Sequence, residues 1–163
     1  MAPCFPLFIS LEEQQVIIIG GGKIAARRIA ALLPFGCRIT VIAPEICPEL
    51  EALSDLNSIT FIRRPYQPGD CIGARIAVAA TSSRAVNHAA GEECHRLEIP
   101  VSVADCREEC SFFFPAIARH DMIVAGLTAS GNDHGLVKRL ATKLRKWLPQ
   151  AAESEIALHD KTK

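Results

Sequence analysis

The sequence predicts an α/β fold: a doubly wound parallel sheet followed by a small β-hairpin/helix extension. Three observations predict it. Short β-branched, apolar runs without polar alternation recur along the first hundred residues, the pattern of strands buried on both faces. Helical patterns separate most of these runs, which implies β-α-β units. After Asp105 that alternation stops, and two β-rich runs follow with no helix between them, the pattern of an antiparallel pair.

Each element has its own signal. Residues 15–19 (Q-V-I-I-I) read as the first buried strand and end at Gly20-Gly21-Gly22. Residues 23–33 read as a helix with Ile24, Ala25, Ile29 and Leu32/Leu33 on one side, stopped by Pro34 and Gly36. Residues 38–42 give the second strand, closed by Ala43-Pro44; residues 49–56 a weaker helix; residues 59–62 a short third strand. Residues 75–79 give the fourth strand. Ser82 or Ser83 caps the helix that follows to about Leu97, with Val86, Ala90, Cys94 and Leu97 as its core stripe. Residues 100–104 give the fifth strand. Residues 112–117 and 122–127 form the antiparallel pair, and residues 135–148 the last helix, with Leu136, Leu140, Leu144 and Trp147/Leu148 on one face. From Ala151 the chain is polar and expected to fray. The expected organisation is a dinucleotide-type domain over 1–105, a dimerisation segment over 106–150 and a tail over 151–163. The Phe112-Phe113-Phe114 run and the leucine stripe exceed what so small an extension can bury alone, so a second copy of the chain is the expected cover.

Composition narrows the function classes. Over 163 residues, 49% are hydrophobic and 22% charged, which is the composition of a soluble globular chain. Eighteen Lys and Arg balance eighteen Asp and Glu, so no bulk attraction to nucleic acid is expected. No apolar run approaches the roughly 18 residues of a membrane span. The N-terminus lacks a basic start and contains Pro3 and Pro6, which does not suit a signal peptide. Of seven cysteines at irregular spacing, without C-x-x-C, most are expected to be free, buried thiols in a reducing, cytoplasmic setting. Cys94-His95 and Cys106-x-x-x-Cys110 lack the paired spacing of a structural zinc site, so no metal is expected.

Gly20-Gly21-Gly22-Lys23-Ile24-Ala25 fits G-x-G-x-x-A, directly after a strand and opening a helix, which is the context of a Rossmann-like dinucleotide turn. Gly20 permits the tight turn, Gly22 lets the backbone approach a pyrophosphate, and Ala25 lets helix and strand pack closely. The helix N-terminus offers free N–H groups and positive dipole to the phosphates. The acid that would hold the adenosine ribose is displaced by a proline: after the second strand come Pro44 and Glu45. No Arg occupies this stretch, which favours NAD over NADP. Asp105 follows the fifth strand at its carboxyl end, where open α/β sheets bind ligands; it suits either a general base or a turn cap.

The segments F-P-L-F from Phe5, G-G-G-K-I-A-A-R-R, V-I-A-P-E, A-A-T-S-S-R-A-V-N, V-S-V-A-D and C-S-F-F-F-P-A occur in this order over nearly the whole chain. Together they resemble the siroheme synthase N-terminal family, whose members are precorrin-2 dehydrogenases, some of them also sirohydrochlorin ferrochelatases. The resemblance implies NAD-dependent oxidation of precorrin-2 to sirohydrochlorin by an intertwined homodimer. It implies that Gly20, Gly22 and Ala25 form the cofactor turn, that Thr81 and Asn87 belong to the nicotinamide side of the cleft, and that Asp105 is the catalytic residue. The substrate carries eight carboxylates, so Arg107, Arg119 and Lys138 are candidate partners for them. The chain departs from the family in two places. Thr128-Ala129-Ser130-Gly131-Asn132-Asp133-His134 stands where many members read S-T-G-G-K-S-P, which puts acid or a metal-ligating pair in place of Ser-Pro. The further helical segment of longer members does not follow Leu148. The alternative reading is a non-catalytic dimeric NAD- and tetrapyrrole-binding carrier or regulator. A nucleotide-sensing domain of a potassium-transport regulator shares only the glycine turn.

Overall fold

The computed structural model describes residues 4–129 and 133–160. Contacts divide the chain between Phe112 and Phe113, so that residues 8–112 form one unit and the described residues of 4–7 and 113–160 the other.

The first unit is a five-stranded, wholly parallel sheet. Its strands are β1 (Gln15–Ile19), β2 (Arg38–Ala43), β3 (Thr60–Arg63), β4 (Ile76–Ala79) and β5 (Val101–Val103), in spatial order β3-β2-β1-β4-β5. Three helices connect them: α1 (Lys23–Leu32), α2 (Pro48–Asp55) and α3 (Arg84–Arg96). The expected doubly wound sheet is therefore present, with every strand within two residues of its expected ends. Pro34 does not stop α1 from outside. It lies in a 3-10 turn, Leu33–Phe35, which continues the helix to Gly36 at φ 68°, where the left-handed backbone ends it.

Burial of both faces explains the unalternating sequence. In register, Ile17, Ile19, Ile42, Ala77, Ala79, Val101 and Val103 lie on one face, packed with Ala90 and Cys94 of α3. Val16, Ile18, Val41 and Val78 alternate onto the other face, and each is at most 1% exposed. The step from β3 to β4 carries no helix. Pro65, Pro68 and two positive-φ glycines, Gly69 and Gly73, keep this loop irregular. Arg64 clamps Asp70 through two hydrogen bonds of 2.8 and 2.6 Å. Glu93 of α3, buried, accepts from the Tyr66 hydroxyl and from the backbone N–H groups of Gly69 (2.9 Å) and Cys71 (3.2 Å). Its charge is thus fully spent on holding the loop.

The second unit contains the antiparallel pair β6 (Ala116–His120) and β7 (Ile123–Leu127), and α4 (His134–Asp160) packed on β6. The hairpin is present, but the Phe112–Phe114 run precedes it instead of forming its first strand. Pro115 has no N–H to give a ladder, and the Ser111 and Phe112 N–H groups both turn to the Val101 carbonyl. The two-residue turn at Asp121-Met122 has Asp121 at φ 48°, as a tight hairpin requires. The last helix also differs from expectation: it runs on through Pro149 to Asp160, over the stretch from Ala151 read as a frayed tail. Among its described side chains Ala141, Leu148 and Ala152 are buried, with Val137 and Leu144 half-buried. Leu136, Leu140 and Trp147, part of the stripe expected to need a second surface, are 41%, 46% and 59% exposed.

Candidate functional site

The strand order reverses beside β1, so the loops after β1 and β4 diverge there and leave a crevice at the carboxyl edge of the sheet. The three glycines line this point, each for a different reason. Gly20 has φ 113°, and a Cβ on it would overlap the Ala80 carbonyl and sit 2.9 Å from the Thr81 nitrogen. Gly21 is covered from the other side. Its carbonyl accepts from the Cys47 N–H at 2.8 Å, and a Cβ would collide with the Glu45 carbonyl and lie 2.7 Å from Ile46 Cγ2. Gly22 is the N-cap of α1, at φ −87° and ψ −175°, a backbone any residue adopts, and a Cβ there meets nothing within 4 Å.

That contrast is informative. Packing within the protein demands glycine at Gly20 and Gly21 but not at Gly22. Open space stands in front of Gly22 at the start of α1, which has no side-chain cap and no acidic residue in its first turn. Free backbone N–H groups and uncompensated positive dipole therefore face that space, and these residues fit an anionic pyrophosphate. Lys23 and Ile24 are exposed beside it, with Ile24 46% exposed, whereas Ala25 is fully buried, as the close helix–strand contact requires. Pro44 and Glu45 are exposed on the loop after β2, the same loop that closes over Gly21.

The loop after β4 is held from within. Asn87 is fully buried on α3. Its Oδ1 accepts from the Thr81 N–H at 2.9 Å and its Nδ2 donates to the Thr81 carbonyl at 3.1 Å. The Thr81 hydroxyl lies 2.8 Å from Asn87 Oδ1 and accepts from the Ser83 N–H at 3.1 Å. Ser83 is the cap of α3, its side chain accepting from the Val86 N–H. Asn87 thus acts on the crevice through Thr81, whose backbone it satisfies at both ends. Losing it would strand those two groups, at about 1–3 kcal/mol each.

Asp105 stands just beyond β5, exposed, with its Oδ1 3.6 Å from Arg84 of α3. The same guanidinium is ion-paired with Glu109, which lies in a short 3-10 turn, Arg107–Glu109. Glu109 Oε1 also contacts His88 Nδ1 at 2.8 Å, and the Glu109 carbonyl contacts His95 Nε2 at 2.9 Å. The Arg84 guanidinium, with His88 adding to it, holds the Glu109 carboxyl below the usual range against an opposing desolvation. In return Glu109 raises Arg84. Sequence reasoning passed over Arg84, His88 and Glu109. Positions 84, 88 and 95 share one helical face, which was legible, but their common partner arrives from beyond β5 and was not.

The remaining candidates separate. Arg107 is half-buried in the turn after Asp105. Arg119 on β6 and Lys138 on α4 are exposed and belong to the second unit. Asp133 caps α4, its Oδ1 accepting from the Leu136 N–H at 2.7 Å, which accounts for an acid at that position. Ser130, Gly131 and Asn132 of the departing segment, and the His134 side chain, lie outside the described residues. Cys94 is fully buried and Cys110 Sγ sits 3.2 Å from the Val103 nitrogen. Among the described residues no three His, Cys, Asp or Glu side chains are grouped to hold a metal ion. A concavity of about 320 Å³, lined in part by Ile72, Arg75, Leu97 and Glu98, lies at the opposite, amino-terminal edge of β4 and β5.

Residues 7–116 match the family described as "Putative NAD(P)-binding". The "Probable multifunctional siroheme biosynthesis protein HemA" of Ruminiclostridium josui is 42% identical over 143 residues, covering 87% of this chain and 28% of that protein. The "Siroheme synthase" of Psychrobacter sp. (strain PRwf-1) is 37% identical over 146 residues, 90% of this chain and 30% of that protein. The chain thus spans less than a third of the length of these relatives, and the resemblance read from its motifs is borne out over most of its own. A solved structure, "SirC, precorrin-2 dehydrogenase", superposes with a TM-score of 0.75 at 23% identity, covering 96% of this chain and 81% of that one, which shows the shared fold. With a parallel sheet, a glycine turn at its switch point and a family match across two thirds of its residues, the chain belongs to that NAD(P)-binding family.

Proposed function

We propose that the chain catalyses the NAD-dependent oxidation of precorrin-2 to sirohydrochlorin in siroheme biosynthesis. The observation that carries the reading is the open space before Gly22, a glycine the protein's own packing does not need, on the same sheet edge as Asp105. The similarity to siroheme biosynthesis proteins over 87–90% of the chain supplies the substrate class.

In this reading Gly20, Gly21, Gly22, Lys23, Ile24 and Ala25 form the cofactor turn, with Gly22 and the start of α1 facing the dinucleotide pyrophosphate, and Pro44 and Glu45 flank its adenosine ribose, with Glu45 accepting from a ribose hydroxyl. Thr81, fixed by Asn87, shapes the nicotinamide side. When bound, NAD⁺ supplies the hydride acceptor. Asp105 takes the proton that the substrate carbon framework loses, so one hydride and one proton leave together and a ring C=C forms. A positioned carboxylate base contributes about 10²- to 10⁴-fold to such a step. Arg107, two residues beyond Asp105, pairs with a substrate carboxylate. Anaerobic incubation with precorrin-2 and NAD⁺ tests the reading: stoichiometric NADH and sirohydrochlorin are expected. Binding of both ligands without turnover would replace the dehydrogenase by a carrier.

The working form we propose is a cytoplasmic homodimer. Leu136, Leu140 and Trp147 form one exposed stripe on α4, and Met122 at the hairpin tip is 94% exposed, more apolar surface than an isolated unit of this size carries comfortably. Cys37, Cys47, Cys71, Cys94, Cys106 and Cys110 are free thiols, which suits a reducing compartment. Light scattering at micromolar concentration should give twice the chain mass, and Leu140→Asp should halve it; a monomeric parent protein would contradict the dimer.

A further inference from the structure

We propose that Arg84 and Glu109 form a positioning brace that sets the direction of the Asp105 carboxylate. The inference rests on Asp105 being the proton acceptor, and it assigns a role to residues outside the expected site. Asp105 is 36% exposed in its side chain, and among the described residues Arg84 is the one cation ion-paired with it, at 3.6 Å. A pair this exposed constrains little when both partners are long and mobile. Arg84 is not mobile in that sense. One of its nitrogens is taken by Glu109, whose side chain is only 18% exposed.

Glu109 in turn is fixed from several sides. His88 reaches the same Oε1 at 2.8 Å, and His95, two turns further along the same face of α3, reaches the Glu109 carbonyl at 2.9 Å. Its second oxygen, Oε2, is buried without a hydrogen-bond partner and lies against Gly91, where a Cβ would come within 3.6 Å. A carboxylate that leaves one oxygen unsatisfied costs free energy, so its placement needs a return. The return is that one guanidinium spans two carboxylates, with the half-buried Glu109 as anchor and the more exposed Asp105 as the group being aimed. The hook from β5 to Ser111 completes the mount. The Ala104 N–H donates to Ala79 at 2.8 Å, the Cys110 N–H to Arg107 at 3.1 Å, and the Ser111 N–H to Val101 at 2.9 Å. The backbone on both sides of Asp105 is therefore held, and its side-chain torsion is what Arg84 governs.

The test uses the intact chain with Arg84→Met, Arg84→Lys, Glu109→Gln, the Arg84→Met/Glu109→Gln double variant, and Arg84→Met placed on Asp105→Asn. Arg84→Met and Glu109→Gln should each lower kcat about tenfold, as misdirected catalytic groups do, with the NAD⁺ dissociation constant within twofold of the parent. Arg84→Lys should recover part of the loss. The double variant should be no slower than the slower single variant, because Glu109 acts through Arg84. On the Asp105→Asn background Arg84→Met should cost nothing more. Unchanged kcat in Arg84→Met, or an equal loss on the Asp105→Asn background, overturns the brace. A second readout needs no turnover: side-chain scalar couplings of Asp105 should report one χ1 rotamer in the parent and averaging in Arg84→Met. Averaging already in the parent overturns the brace. A parent that fails to oxidise precorrin-2 yet keeps a single Asp105 rotamer, released by Arg84→Met, overturns the proposed reaction and leaves the brace standing.

Discussion

Replacing Gly22 by Asp should separate the stability of the chain from its affinity for a dinucleotide, and move them in opposite directions. Gly22 is the N-cap of α1 with extended backbone at φ −87°, and nothing lies within 4 Å of where its Cβ would be. An Asp there meets no steric cost. It becomes a good cap, worth a few tenths of a kcal/mol over Gly. It also places a carboxylate at the positive end of the helix, worth about 0.3–1 kcal/mol. Together these should raise the melting temperature by about 1–4 °C in a chain of this size. The same carboxylate fills the space assigned to the pyrophosphate. Two unit charges in contact at a protein surface repel by about 4 kcal/mol, which is roughly a thousandfold in affinity. Calorimetric titration with NAD⁺ and differential scanning on the same sample read both effects. Affinity within threefold of the parent would refute the assignment of this turn. Lost affinity accompanied by a lower melting temperature would refute the reasoning that the space before Gly22 is free of the protein's own needs.

Three further outcomes are expected. Gly20→Ala should lower stability by about 3 kcal/mol or more, seen as a drop in urea midpoint, because φ 113° is hostile to a side chain and the Cβ would meet the Ala80 backbone. Asp105→Ala should cut kcat by about 10² or more with NAD⁺ affinity within twofold; full activity in a stable variant would remove Asp105 from the mechanism. Stability should fall on acidification. The Arg84 guanidinium holds Glu109 below its ordinary 4.5, and Arg64 holds Asp70 below its ordinary 3.8. Each carboxylate therefore stabilises the fold fully above its ordinary value and loses that contribution as pH falls through its lower folded value. Melting temperatures below about pH 4.5 should decline less steeply in a Glu109→Gln, Asp70→Asn double variant; equal slopes would contradict these two ion pairs as the cause.

The strands, helices and glycine turn were legible because each rests on a local rule. Unalternating Val and Ile runs mark strands buried on both faces, and Gly20 to Gly22 between a strand and a helix has one common use. The carboxyl-edge location of Asp105 followed from the same alternation. Where the pattern offered two stripes, the sequence did not say which of them packs within the chain. On α4, the apolar residues cover two adjacent stripes. Leu136, Leu140 and Trp147 make the more apolar one, yet Ala141, Leu148 and Ala152 are the buried ones. Periodicity locates a face but not its partner.

Long-range partners were decided by tertiary structure alone. Asn87 carries the amide expected near the nicotinamide, and only the fold turns it inward to hold both backbone groups of Thr81. The role of Gly21 depends on Glu45 and Ile46, which arrive from the next strand's loop. Glu109 joins Arg84 and His88 across more than twenty residues of sequence. By itself the sequence determined which segments become strands and helices and where the chain must turn without a side chain, since those depend on neighbours a few residues away. Which side chains meet at the end of the sheet depends on strand order, β3-β2-β1-β4-β5, and that order is set by how two hydrophobic faces are covered at once, a property of the whole packed unit.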